Sequence, residues 1–144
     1  MRTAHTNALA TYFGENNAPP LRSVFDLIEV SRTGLSKKAV ANMARHLSIP
    51  LADLFVILHM SIRTWQRYSD DKLLPQEVTE KALQVANLYA QGESVFGEAW
   101  RFQGWMNHPS PALGGKKPVE LLDTSFGFQL VSDEIIRIEH GVLA

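Results

Sequence analysis

The stretch from Leu51 to Tyr68 limits most severely what this chain can become, because it holds two short helical patterns separated by a tight break. Leu51, Leu54, Phe55 and Leu58 stand at i, i+3, i+4 and i+7 and so gather on one stripe of an α-helix. His59 and Met60 supply the turn. Ser61 is placed to cap a second helix, Ile62 to about Ser69, its hydroxyl accepting from the backbone donors that open it. Ile62 and Trp65 lie one turn apart and are expected to pack inward, with Arg63, Thr64, Gln66 and Arg67 left outside. A buried first helix, a short turn and a polar, basic second helix are what a helix-turn-helix requires.

The residue types on that outer face match the chemistry of a DNA groove. Arg63 or Arg67 suits the acceptors of guanine, Gln66 suits adenine, and Ser61 or Thr64 suits a phosphate or a base edge. The plainer alternative is an amphipathic helix pair whose solvated face happens to be cationic. Upstream, Ser36 caps a helix in which Val40, Met43, Ala44 and Leu47 repeat at i, i+3, i+4 and i+7, with Lys37 and Lys38 in its first turn. Cations there oppose the helix dipole. A phosphate nearby would account for them, and so would simple solvent exposure. From Ser31 to Tyr68 the basic residues are Arg32, Lys37, Lys38, Arg45, Arg63 and Arg67 against Asp53 alone, in a chain of formal net charge −1. Such a local excess binds phosphates with an affinity that falls as salt rises.

At 144 residues the chain suits one medium domain or two small ones. It has no cysteine, which removes disulfides and thiolate metal sites. No apolar run approaches the roughly 20 residues of a membrane span, and the start lacks a signal pattern, so the protein is read as cytoplasmic. His5, His46, His59, His108 and His140 are scattered without metal-ligand spacing, and no carboxylate pair accompanies a nucleophile. Neither an enzyme, a metal nor a cofactor is expected.

Residues 1–20 are read as a mobile arm ending in Asn16, Asn17, Ala18, Pro19 and Pro20, with a short helix around Ala8 to Phe13. Val24, Leu27 and Ile28 fit a helical stripe, although Phe25 and Val30 also allow a strand, and Gly34 ends the segment. A helix from about Gln76 to Ala90 is expected to stop at Gln91 and Gly92, and another, Ser94 to about Asn107, carries Phe96, Trp100, Phe102 and Trp105 as a stripe that suits a core, with a subunit or partner surface as the alternative. From His108 to Pro118 three prolines and two glycines exclude regular helix. Gly114-Gly115-Lys116 lacks the full Walker spacing and a preceding strand, which sets aside a nucleotide cradle. Val119 to Asp123 make a short helix, and a last one sets Phe128, Val131, Ile135 and Ile138 on one face before His140 and Gly141. Val142, Leu143 and Ala144 form an apolar tail.

The second half carries a resemblance through Val95-Phe96-Gly97, Trp105-Met106 and Pro109, then Leu113-Gly114-Gly115-Lys116, Pro118, Leu121-Leu122-Asp123-Thr124 and Gly127. It ends on Val131 and Arg137-Ile138-Glu139-His140-Gly141. Gly34-Leu35-Ser36-Lys37-Lys38-Ala39 and Arg63-Thr64-Trp65-Gln66-Arg67 agree in the first half. Over residues 21 to 144 the chain resembles antitoxins of the Xre/MbcA/ParS type. It departs at Tyr68, where the family often has another arginine, and at Trp65, which replaces a smaller apolar residue.

Beyond the flexible arm read at 1–20, the resemblance implies an all-α protein with an Xre-like helix-turn-helix domain at 21–92 and a small helical toxin-binding domain at 93–144. It further implies a type II toxin-antitoxin system, in which the chain neutralises a RES-domain toxin that consumes NAD by binding over its active site. As a homodimer it would bind operator DNA and repress its own operon. Ser61, Arg63, Thr64, Gln66, Arg67, Lys37 and Lys38 are the expected DNA-binding residues. Leu113, Gly114, Gly115, Lys116, Lys117, Glu139 and His140 are those expected to meet the toxin, either through the loop or through the tail. A stand-alone transcription regulator whose second half dimerises or senses something else is the alternative.

Overall fold

A computed structural model describes residues 9–14 and 16–141, and among them every regular element is helical. The order is α1 (residues 9–13), α2 (Val24–Thr33), α3 (Lys37–His46), α4 (Leu51–Leu58), α5 (Ile62–Arg67), α6 (Gln76–Phe96) and α7 (Ala99–Met106). Two 3₁₀ turns, Pro111–Leu113 and Pro118–Leu121, then lead to α8 (Ser125–Glu139). The chain divides into two compact units, one ending at Ala90 and one beginning at Gln91.

In the first unit, α3 shows the expected logic most directly. Ser36 caps it by accepting from the Ala39 amide at 3.1 Å, and Val40, Met43, Ala44 and Leu47 are all buried. The left-handed backbone at Ser48 and a bond from the Ile49 amide to the Ala44 carbonyl close it. The segment leading into α3 is tied to the loop before α6 by backbone bonds and by the buried Thr79 hydroxyl. Thr79 accepts from the Leu35 amide at 3.1 Å and donates to the Leu74 carbonyl at 3.2 Å. A bond from the Leu74 amide to the Leu35 carbonyl completes that tie.

Two expectations for this unit change, and one open choice closes. The arm expected over residues 1–20 contains a packed element: Leu9, Tyr12 and Phe13 are buried, and the Tyr12 ring lies 5.4 Å from that of His46 on α3. Three large apolar side chains in five residues have enough surface to hold a short helix against a neighbour. The part of the expected arm at residues 1–8 lies outside the described residues. Val24–Thr33 is a helix and not a strand, begun by Ser23 accepting from the Asp26 amide. Its inward anchor is Val30, while Val24 and Ile28 edge a shallow groove of about 240 Å³ shared with Leu83 and Asn87. Leu51 and Ile62, expected inside, are exposed. Each is the first residue of its helix, where the Cα–Cβ bond tilts toward the N-terminus and carries the side chain past the helix end.

In the second unit the helix boundaries shift. α6 does not stop at Gly92 but runs to Phe96, because Gly92 lies where any Cβ would overlap the Phe102 ring. The break falls at Gly97, which has a positive φ of 88°, and α7 therefore begins at Ala99 and not at Ser94. Phe96, Phe102 and Trp105 cluster with centroids 5.3 to 5.9 Å apart, Phe102 stacked on Trp105 and Phe96 set edge-on to Phe102. Phe102, Met106, Leu113, Val119, Leu122, Val131 and Ile135 make the core. The short helix expected at Val119–Asp123 is a 3₁₀ turn opened by Pro118. Ile138, expected on the inner face of α8, is partly exposed in its last turn, and Trp100 stands away from the aromatic core.

Candidate nucleic-acid and partner surfaces

The helix-turn-helix of the first unit is built from a left-handed residue and a cap. His59 ends α4 with φ 54° and ψ 42°, and the Met60 amide bonds back to the Phe55 carbonyl. Ser61 then starts α5. Its oxygen accepts from the Thr64 amide at 3.1 Å and its hydroxyl donates to Thr64 Oγ1 at 2.9 Å. Trp65 turns inward, 7% exposed, against Phe55 at 5.6 Å between centroids. With that side anchored, Ile62, Arg63, Gln66 and Arg67 occupy the open face. The Lys37 ammonium crosses over from α3, lying 5.3 Å from the Trp65 ring centroid and donating to the Tyr68 carbonyl at 3.0 Å.

This geometry separates the expected DNA contacts. Arg63, Gln66 and Arg67 are brought together on one exposed surface, whereas the Ser61 and Thr64 hydroxyls are bonded to each other and Lys37 serves α5 from behind. The start of α3 is no phosphate cradle either. The Lys37 and Lys38 amides donate to the Lys72 and Asp70 carbonyls, both at 2.9 Å, so the backbone donors an anion would use are taken. Of the two lysines only Lys38 is exposed there, Lys37 being half-buried.

In the second unit, the loop after α7 is a clasp. The Ser110 amide donates to the Lys116 carbonyl and the Gly115 amide to the Ser110 carbonyl, each at 2.9 Å. Gly114 and Gly115 both take left-handed conformations, with φ of 71° and 78°, which an L side chain adopts only with strain. Leu113, expected to meet a partner, is buried and pins the clasp to the core. Lys116 and Lys117 are exposed beside it, and the Lys117 amide donates to Glu120 Oε1 at 3.1 Å. Glu139 and His140 are exposed at the far end of α8. Thr124 caps α8 by accepting from the Gly127 amide at 3.0 Å, and Gly127 sits against the Leu121 carbonyl where no Cβ fits.

Comparison with known proteins settles what these two units are. Residues 91–141 match the antitoxin Xre/MbcA/ParS C-terminal toxin-binding domain, and residues 26–87 match the antitoxin Xre-like helix-turn-helix domain. The chain belongs to the Xre/MbcA/ParS antitoxin family. This antitoxin is similar to the Prs ADP-ribosylating antitoxin of Sphingobium sp. (strain YBL2), 29% identical over 143 residues that cover 88% of the chain and 90% of the relative. It is also similar to antitoxin Xre of Yersinia enterocolitica, 29% identical over 120 residues covering 82% and 81%. Antitoxin Xre of Pseudomonas putida is 28% identical over 75 residues, covering 52% and 47%.

Two exposed apolar surfaces differ from the leading sequence reading, although a partner surface was the alternative for the stripe that holds Trp100. One is Ile62, at the front of α5. The other lies on the toxin-binding domain, where Phe126 is 88% exposed and Trp100 is 67% exposed with Arg101 stacked 5.3 Å from its ring. Phe126 and Leu130 stand at i and i+4 and share a face of α8 with Asp133 and Arg137, opposite buried Val131 and Ile135. The signal was present in the sequence: the periodicity that placed Val131 and Ile135 inside also puts Phe126 and Leu130 outside. Among the described residues no group of His, Cys, Asp or Glu is arranged to hold a metal ion, and no helix is long and apolar enough to cross a membrane.

Proposed function

We propose that this antitoxin neutralises a RES-type, NAD-consuming toxin by covering its active site, and that as a homodimer it binds operator DNA and represses its own operon. One observation supports the neutralising role: the toxin-binding domain leaves Phe126, Leu130 and Trp100 exposed on its surface. Large apolar side chains held out in water are the anchors from which tight protein interfaces are built. The name of the Sphingobium relative refers to ADP-ribosylation, a chemistry that draws on NAD, and this favours a toxin of that class. Lys116 and Lys117 stand on a clasp that loses little conformational entropy on docking, and their charge suits the phosphates in a NAD-binding cleft. Arg63, Gln66 and Arg67, displayed together, supply the operator contacts.

The test is co-expression with the product of the neighbouring reading frame, followed by co-purification and measurement of cellular NAD. Wild-type antitoxin is expected to hold the toxin and preserve NAD. Phe126→Ala with Leu130→Ala should weaken toxin capture by at least about 2 kcal/mol while leaving operator binding intact. Full protection by that double variant would remove the α8 face from the interface, and unchanged NAD on expression of the neighbouring product alone would remove the toxin class.

A further inference from the structure

We infer that Ile62 reads the C5-methyl group of a thymine in the operator, making it a specificity-determining residue of α5. The inference rests on the reading of α5 as the helix that enters the major groove. Of its six residues, Trp65 is spent on the core and Thr64 is half-buried, its Oγ1 accepting from the Ser61 hydroxyl. Four side chains remain to face bases: Ile62, Arg63, Gln66 and Arg67. Ile62 is 56% exposed at the leading end, and the leading residues of a recognition helix are those that touch base edges.

The chemistry of the site selects the base. Arg63 and Arg67 offer donors, and Gln66 offers a donor and an acceptor, but Ile62 offers only hydrocarbon. In the major groove the hydrocarbon feature is the thymine methyl group, and the same A·T pair presents the N6 and N7 that suit a glutamine. Ile62 and Gln66 stand at i and i+4, on successive turns of one face, so an aliphatic and an amide reader lie side by side. The Ser61 cap fixes the backbone under Ile62, and a β-branched side chain is stiff about χ1. Little freedom is therefore lost when the methyl groups meet. The operator half-site is assigned an A·T-containing step flanked by guanine.

The experiment uses full-length antitoxin and an operator duplex selected by it from a random pool, with each thymine replaced in turn by deoxyuridine, which removes only the methyl group. Wild-type protein is expected to lose about fourfold in affinity at one thymine per half-site, the factor set by burying one methyl group. Ile62→Ala should abolish the thymine-over-uracil preference at that position alone, while Arg63→Ala lowers affinity and keeps it. A uracil scan that is flat for wild-type protein, or a preference that survives Ile62→Ala, overturns the inference. Binding that is indifferent to Arg63→Ala with Arg67→Ala would instead overturn the placement of α5 in the groove. The scan on wild-type protein needs no variant to fold.

Discussion

Lys37 sits at the junction of two roles that the sequence does not separate. Charge and position make it a phosphate contact, but its ammonium is turned back to the Tyr68 carbonyl and over the Trp65 ring. Those two contacts hold it against the end of α5 and point to a positioning role. Phosphate contacts release counterions and set the salt dependence of binding, whereas a buttress does not. Lys37→Met is therefore expected to lower operator affinity without changing the slope of log K against log salt, measured by fluorescence anisotropy. A slope smaller by about 0.9 would mark Lys37 as a phosphate ligand after all. The inward position of Trp65 and the outward set Arg63, Gln66 and Arg67 were legible from periodicity. The destination of a lysine ammonium was not, because it depends on Tyr68, 31 residues away in sequence.

At the level of elements, the boundaries set by local bonds were readable, and the stretch from Gly92 to Ala99 was not. Ser36 and Ser61 accept from the amides three residues on, as their type and position foretell, because a cap is a local bond between neighbours. Gly92 reads locally as a stop, yet α6 continues through it, since the glycine is there to admit the Phe102 ring. Gly104 on α7 supplies the contrast, with nothing within 4 Å of an added Cβ. Gly92→Ala should destabilise the protein by about 1–3 kcal/mol through overpacking, while Gly104→Ala should stabilise it by roughly 0.5–1 kcal/mol through its higher helix propensity. Thermal unfolding followed by circular dichroism checks both. Equal effects would mean that the Phe102 ring yields and that the close approach is not what requires glycine at position 92.

For the whole molecule, the all-α class and the order of a DNA-binding unit before a partner-binding unit were legible, because periodicity and family motifs are carried along the chain. What escaped was exposure, which depends on where an element ends and on what is packed behind it. That is why periodicity places Leu51 and Ile62 inside when both lie exposed, and why it raises no expectation for Phe126. The clasp between Ser110 and Lys116 has a consequence for how the folded protein meets proteases. A protease must draw its substrate out straight across the catalytic cleft, but this loop is doubled on itself by backbone bonds and rooted by Leu113. Two adjacent lysines would ordinarily invite trypsin, yet Lys116 is held in the bend and Lys117 is followed by Pro118. Digestion of native protein followed by mass spectrometry is expected to leave this segment whole until the unit itself unfolds; early nicking after Lys116 would show that the bend opens by itself.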